Sequence, residues 1–280
     1  MTWRLRIRHT TGHRYAGAVH SSYNEARVTP LSTDRQIAVE AAVVVTPSTP
    51  THRYWDYWGT LVDAFDLHEP HDEMSVVGTS VVETSAAGDQ RPSASWEELH
   101  AAETVDGYAE LLAPTTFVPS DDELDRESTA LAALSSPVEA VDAAVDWAHR
   151  RLEYAKGITT VRTTATDAFR LGAGVCQDFA HLTLAVLRPL GIPARYVSGY
   201  LYPGETAQVG MTTVGESHAW VEAWTGEWWG IDPTHDRLAG ERHVVVGRGR
   251  DYGDVTPLKG IYHGAPASGL TVSVEITRLE

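Results

Sequence analysis

Trp3, Leu5 and Ile7 alternate with Arg4, Arg6 and Arg8, a period of two that lays one apolar face along an extended strand. The Val-rich runs Ile37–Val45, Thr60–Leu67 and Met74–Val82 follow, each bounded by Pro, Gly or Asp. Residues 1–85 therefore read as a β-rich domain. At Ser85 the pattern breaks into SAAGDQRPSAS, small and polar residues of linker composition. No internal repeat follows it.

The period changes at Ser136-Pro137-Val138-Glu139. Ser suits a helix N-cap, Pro the first helical position, and Glu three residues after the cap can close a capping box. Val138, Val141, Val145, Ala148 and Leu152 then fall on one helical face. A second helix is predicted to begin at or beside Cys176, after the flexible Gly172-Ala-Gly-Val175. Phe179, Leu182, Val186 and Leu190 supply its buried stripe, Gly191-Ile-Pro193 ends it, and Pro189 should kink or release its last turn. Strands are predicted at Arg195–Leu201, Ser217–Trp224, Trp228–Asp232 and Leu270–Ile276. Residues 131–280 make up one α+β segment, joined to the N-terminal domain by an acidic, partly helical connector at 86–130.

Composition narrows the function more than the fold. The net charge of −16 argues against nucleic acid, whose phosphates call for clustered Lys and Arg. Residues 86–130 hold 11 acidic and 2 basic side chains, so −9 of the −16 sits in the connector, a solvated surface or a docking face for basic or amine-bearing molecules. One cysteine permits no intramolecular disulfide and fits a reducing compartment. No signal-like apolar region opens the chain, and no stretch approaches the roughly 18 apolar residues of a membrane helix. A cytoplasmic protein without membrane contact is expected.

A lone thiol is most simply a small buried hydrophobe. At the start of a helix, however, the helix dipole and unpaired N–H groups favour a thiolate, and the Cys176 N–H can hold an oxyanion. A nucleophilic cysteine also needs a base and a group to orient that base. If Ser217–Trp224 and Trp228–Asp232 form a hairpin over the three-residue loop Thr225-Gly-Glu227, Trp224 faces Trp228. His218 and Asp232 then become diagonal neighbours on one face, roughly 7–8 Å apart by Cα. A loop of even length would send them to opposite faces. Among the alternatives, His181 reads as a structural histidine, His235 as exposed, and Asp178 as a charge that complements the helix dipole. No HExxH, CxxC or compact His cluster marks a metal site.

Gly174-Val-Cys-Gln-Asp-Phe-Ala-His181, Gly191-Ile-Pro-Ala-Arg-Tyr-Val197, Ser217-His-Ala-Trp220 and Gly230-Ile-Asp-Pro-Thr234 together resemble the transglutaminase-like superfamily of cysteine enzymes. Asp56-Tyr-Trp-Gly-Thr60, Gly249-Arg-Asp-Tyr-Gly-Asp-Val-Thr-Pro257 and Gly260-Ile-Tyr262 resemble its bacterial branch, which carries a β-rich N-terminal region. The resemblance implies a papain-like α+β core, with a nucleophile helix packed on an antiparallel sheet. It implies Cys176 as nucleophile, His218 as general base and then acid, and Asp232 as the orienting carboxylate. Gln177 departs from the Trp common in animal members, and Pro189 is unusual within the helix. The calcium-binding features of animal enzymes are not recognisable, so neither metal nor cofactor is expected. The implied activity is thioester-mediated transfer or hydrolysis on peptide or glutamine-type amides, with a peptide or protein substrate and an optional amine acceptor. A catalytically silent scaffold is the alternative. Tyr200, Tyr202, Trp220, Trp224, Trp228 and Trp229 are expected to wall the site or else to fill the core. Tyr154 is a conceivable second oxyanion donor, although a buried structural role is the simpler expectation.

Overall fold

The computed structural model describes residues 2–86, 88, 91–203 and 208–280. Its backbone follows the alternation of the first residues: Thr2–Ala26 is a single strand that buries Trp3, Leu5 and Ile7 and turns Arg6 and Arg8 outward. This strand is the centre of an eight-stranded antiparallel sheet. His71–Ser85 pairs along one side of it and Ala267–Arg278 along the other, so that Ile7 lies between Ser80 and Ile276. Gln36–Thr46 extends the sheet beyond His71–Ser85, and Thr212–Gly215 extends it beyond Ala267–Arg278. The strand expected near Leu270–Ile276 thus joins the sheet of the N-terminal region. A period of two identifies a strand but not its partner.

The acidic connector folds into short helices at Trp96–Leu99, Ala102–Gly107, Ala109–Leu112 and Asp122–Leu131. Its carboxylates gather in their first turns, where they complement the positive helix ends. Asp121 caps the last helix by accepting from the Glu123 and Leu124 amides.

The helix predicted from Ser136 runs over Pro137–Arg151, with the Ser136 hydroxyl accepting from the Glu139 amide. The Glu139 carboxylate takes the Ser135 hydroxyl instead of closing the box. This helix packs against Cys176–Leu187 around Val141, Val145, Phe179, Leu182 and Val186. Pro189 releases the second helix early: it stops at Leu187 and passes through the 3-10 turn Arg188–Leu190 to Gly191, whose φ is +78°.

Beneath the helices lies a five-stranded antiparallel sheet in the order Arg237–Leu238, Trp228–Asp232, His218–Trp224, Ala194–Leu201, His243–Gly249. One face offers Tyr196, Ala219, Val221 and Ala223 to the helices. Further along the sheet, Tyr200, Tyr202, Val244 and Val246 pack against Trp3, Leu5, Ile7, Val82 and Ile276 of the large sheet. Across this contact His9 Nδ1–H donates to the Tyr200 hydroxyl, which donates to the Val28 carbonyl, both at 3.0 Å. The architecture is therefore α+β, with a helix N-terminus set against an antiparallel sheet and a β-rich N-terminal region behind it. Among the described residues no helix is long and apolar enough to cross a membrane.

Candidate active site

Cys176 is the first residue of its helix and is partly exposed, whereas the next eleven residues are all buried. The loop before it is fixed by close packing. Gly172 ends the helix Ala165–Leu171 at a φ of +68°. A Cβ on Gly174 would stand 2.6 Å from the Asp178 side chain, so the space beside this glycine is taken by Asp178 and not by a bound molecule. Asp178 is buried and its Oδ2 accepts from the Val175 amide at 2.8 Å and from the Thr159 hydroxyl at 2.6 Å. Its role is to cap its own helix. The first helical hydrogen bonds run from the Asp178 and Phe179 amides to the Val175 carbonyl, leaving the Cys176 N–H outside the helical ladder.

The hairpin register is the one the three-residue loop requires. Trp224 faces Trp228, Glu222 faces Gly230 and Val221 faces Ile231, with Gly226 at a φ of +107° in the loop. Continued by one pair, this register sets Trp220 opposite Asp232 and makes His218 the diagonal neighbour of Asp232 on the same face. His218 Nε2–H donates to Asp232 Oδ2 at 2.8 Å, which leaves Nδ1 for Cys176, its other hydrogen-bond partner. All three residues named in the sequence thus meet at one place.

Asp232 holds more than one imidazole. His235 Nδ1–H donates to the same Oδ2 at 2.8 Å, and His243 Nε2–H does so at 3.2 Å, while the Thr234 amide donates to Oδ1. The Gly240 amide donates to His243 Nδ1, which fixes the tautomer that places a proton on Nε2. Burial alone would raise the Asp232 carboxyl, but the bonds from His218, His235 and His243 hold it far below the usual carboxylate range. Burial likewise pulls His218 down, but the bonds to Asp232 and Cys176 override it and push the imidazole up to about 10. His243 goes the other way, kept neutral chiefly by its burial. Ligating atoms of His218, Asp232 and His243 fall within 4.8 Å of one another. The 2.8 and 3.2 Å contacts, each with a proton between nitrogen and oxygen, are those of a hydrogen-bonded network.

The alternatives sort clearly. His181 is fully buried, accepts from the Tyr252 amide and is driven down to about 3, first by burial and then by Arg188, so it has no base function. His235 is exposed as expected, yet it is bound to Asp232 at the rim of the site. Tyr154 is half exposed rather than buried: parallel pairing of Glu153–Tyr154 with Ala173–Gly174 pins it beside the Cys176 loop. Burial, and then the neighbouring Cys176 charge, raise its hydroxyl.

Cys176 opens onto a cleft of about 700 Å³. None of the six expected aromatic residues lines it: Tyr200 and Tyr202 fill the inter-sheet core, Trp224 and Trp229 join the core beneath the helices, and Trp220 and Trp228 line a cavity on the opposite side of the small sheet, while Tyr154, Tyr196 and Tyr252 line the cleft instead. The facing wall is the large sheet. His9, Thr11 and His13 stand in register with Val274, Val272 and Leu270, giving an apolar platform edged by imidazoles. Lys156 and Glu216 pair at 3.2 Å on the cleft lining. His243 was invisible as a site residue in the sequence; the only signal was its place at the head of the run His243-Val-Val-Val246.

The bacterial transglutaminase-like N-terminal region model matches residues 5–83, and the transglutaminase-like superfamily core model matches residues 126–233. The chain belongs to the transglutaminase-like superfamily. Within it, the chain is 48% identical over 277 residues to an uncharacterized protein of Mycobacterium leprae, covering 99% of both chains. It is 40% identical over 95 residues to a protein-glutamine gamma-glutamyltransferase of Pseudomonas aeruginosa, covering 30% of this chain and 14% of that one. Its fold matches that of a Cytophaga hutchinsonii protein provisionally assigned as a cysteine protease, with a TM-score of 0.81 and 24% identity over 100% of this chain and 92% of the other.

Proposed function

We propose that this protein is a cysteine-dependent acyl-transfer enzyme acting on peptide or glutamine-type amides, with Cys176 as nucleophile, His218 as acid and base, and Asp232 as orienting carboxylate. The observation that carries this reading is His218, hydrogen-bonded at once to Cys176 and Asp232. A protonated His218 stabilises a thiolate across its Nδ1. The sulfur adds to the amide carbonyl and the oxyanion takes the Cys176 N–H, with the Tyr154 hydroxyl as second donor. His218 then gives its proton to the departing nitrogen, and a thioester remains on Cys176. Water or an amine attacks this thioester while His218 takes up a proton.

The apolar platform of Leu270, Val272 and Val274 suits an extended peptide with apolar side chains near the reacting amide. Water, at about 55 M, outcompetes an amine unless the site binds the amine or excludes water. Hydrolysis is therefore the reading we favour for the second step. A lone thiol with no partner to trap it suits a reducing cytoplasm.

A glutamine-peptide library incubated with and without a labelled primary amine separates the outcomes. Cleaved peptide or ammonia without label is the result expected for hydrolysis, and label incorporation means transfer. A native Cys176 that resists iodoacetamide across pH 6–9, with no product in either incubation, would leave a silent scaffold as the better description.

A further inference from the structure

Strand alternation sends Ala219, Val221 and Ala223 toward the helices and turns Trp220 and Glu222 to the opposite face of the small sheet. There a second cavity, of about 440 Å³, lies between that face and the Ser32–Gln36 turn of the N-terminal region. Glu222 is buried in its wall. Arg195 reaches this carboxylate through Nε at 2.7 Å and Nη2 at 2.6 Å, and Arg248 through Nε at 2.8 Å and Nη2 at 3.0 Å. One carboxylate thus serves two mostly buried guanidiniums, and one positive charge is left over. The Nη1 group of neither arginine has a partner among the described residues.

Arg195 lies over the Trp228 ring at 4.0 Å from its centroid. Arg35 and Asp34, neighbours in the turn across the cavity, are both solvent-exposed and of opposite charge, so the excess stays the one positive charge of Arg195 and Arg248; Arg35 forms no ion pair with a described residue. A cationic recess is the reverse of the bulk electrostatics of a chain with net charge −16. Guanidiniums with donors to spare, set beside indole faces, match an oxyanion attached to a flat apolar body.

We propose that this cavity is a second ligand site, which takes a small carboxylate or phosphate carried on a compact aromatic or apolar group. Arg195, Arg248 and Arg35 hold the oxyanion, and Trp220 and Trp228 hold the body. The site is separate from the thiol cleft and needs no chemistry at Cys176.

The test uses the full chain with Cys176 blocked by iodoacetamide, so that the thiol cleft contributes nothing. Intrinsic tryptophan fluorescence is titrated with benzoate, phenyl phosphate and inorganic phosphate at constant ionic strength. A saturable change is expected with benzoate or phenyl phosphate, and binding at least tenfold weaker with inorganic phosphate. Removing Arg248 would strand the buried Glu222, so the variants are placed elsewhere. Arg35→Glu should weaken binding at least tenfold, and Ala239→Phe, which fills the cavity, should abolish it. No saturable change with any probe, or an affinity untouched by both substitutions, would overturn the assignment.

Discussion

Asp232→Asn keeps the size of the side chain and removes its charge. The amide oxygen can still accept, but the new NH2 group confronts N–H donors from His218, His235 and His243. Holding His218 from 6.5 up to about 10 corresponds to about 5 kcal/mol, at about 1.36 kcal/mol per tenfold change in proton affinity. Cys176 shares in that value and burial works against it, so the figure sets the scale of the Asp232 contribution. The sign follows from linkage. A histidine whose folded pKa is raised contributes stability that is fully present below its unfolded value of about 6.5 and is lost as pH rises through about 10. The Asp232 carboxylate itself contributes above about pH 3.9 and loses that contribution only in strong acid. Urea denaturation of both proteins at pH 6, 8 and 10 isolates the histidine part. The variant should be less stable by about 3–5 kcal/mol at pH 6, the usual cost of breaking a buried pair. That gap should narrow by up to about 4 kcal/mol on reaching pH 10. A gap that stays flat from pH 6 to pH 10 would refute the reasoning, because it would mean that Asp232 does not hold His218 protonated.

Tyr154→Phe should lower kcat by about 10²–10³ with little change in KM if its hydroxyl meets the oxyanion; an unchanged kcat would return Tyr154 to a lining role. Gly174→Ala forces a Cβ to within 2.6 Å of Asp178 and should cost about 1–3 kcal/mol, read as a lowered Tm in thermal unfolding. Turnover should fall as pH rises through about 10, where His218 loses the proton it gives to the leaving nitrogen. A rate that keeps rising past pH 10 would exclude His218 as the acid.

The hairpin shows what the sequence makes legible. An odd loop together with a period of two decides which side chains share a face, so His218 and Asp232 could be brought together before any coordinates were known. The helix start at Cys176 was equally plain, because Pro, Gly and capping residues act within a few positions of the chain. Partnership between distant segments was not legible. Nothing local in Leu270–Ile276 says that it pairs with Thr2–Ala26, or that its even positions face a thiol carried by another layer. The large aromatic residues could wall the cleft or fill the core, and only packing between distant segments decides between the two: Tyr200 and Tyr202 go to the inter-sheet core and Trp220 to the second cavity. His243 was missed for the same reason: its contact with Asp232 depends on a strand that enters the small sheet at its far edge.

That arrangement bears on how the thiol cleft selects its substrate. Cys176 and His218, the proposed nucleophile and acid–base group, rest on helices and strands drawn from residues 136–249, whereas the opposing wall comes from His9–His13 and Leu270–Val274. Reactivity and recognition are thus carried by different sheets, joined through the Trp3, Tyr200, Val244 and Ile276 core. Changes on the wall, such as Leu270→Asp, should alter which peptides bind while leaving the rate of Cys176 alkylation by a small reagent unchanged. The hydrogen bonds that Asp232 accepts from its three imidazoles lie entirely on the other side of the cleft, so on the proposed mechanism they set the reactivity of the sulfur whatever the wall admits.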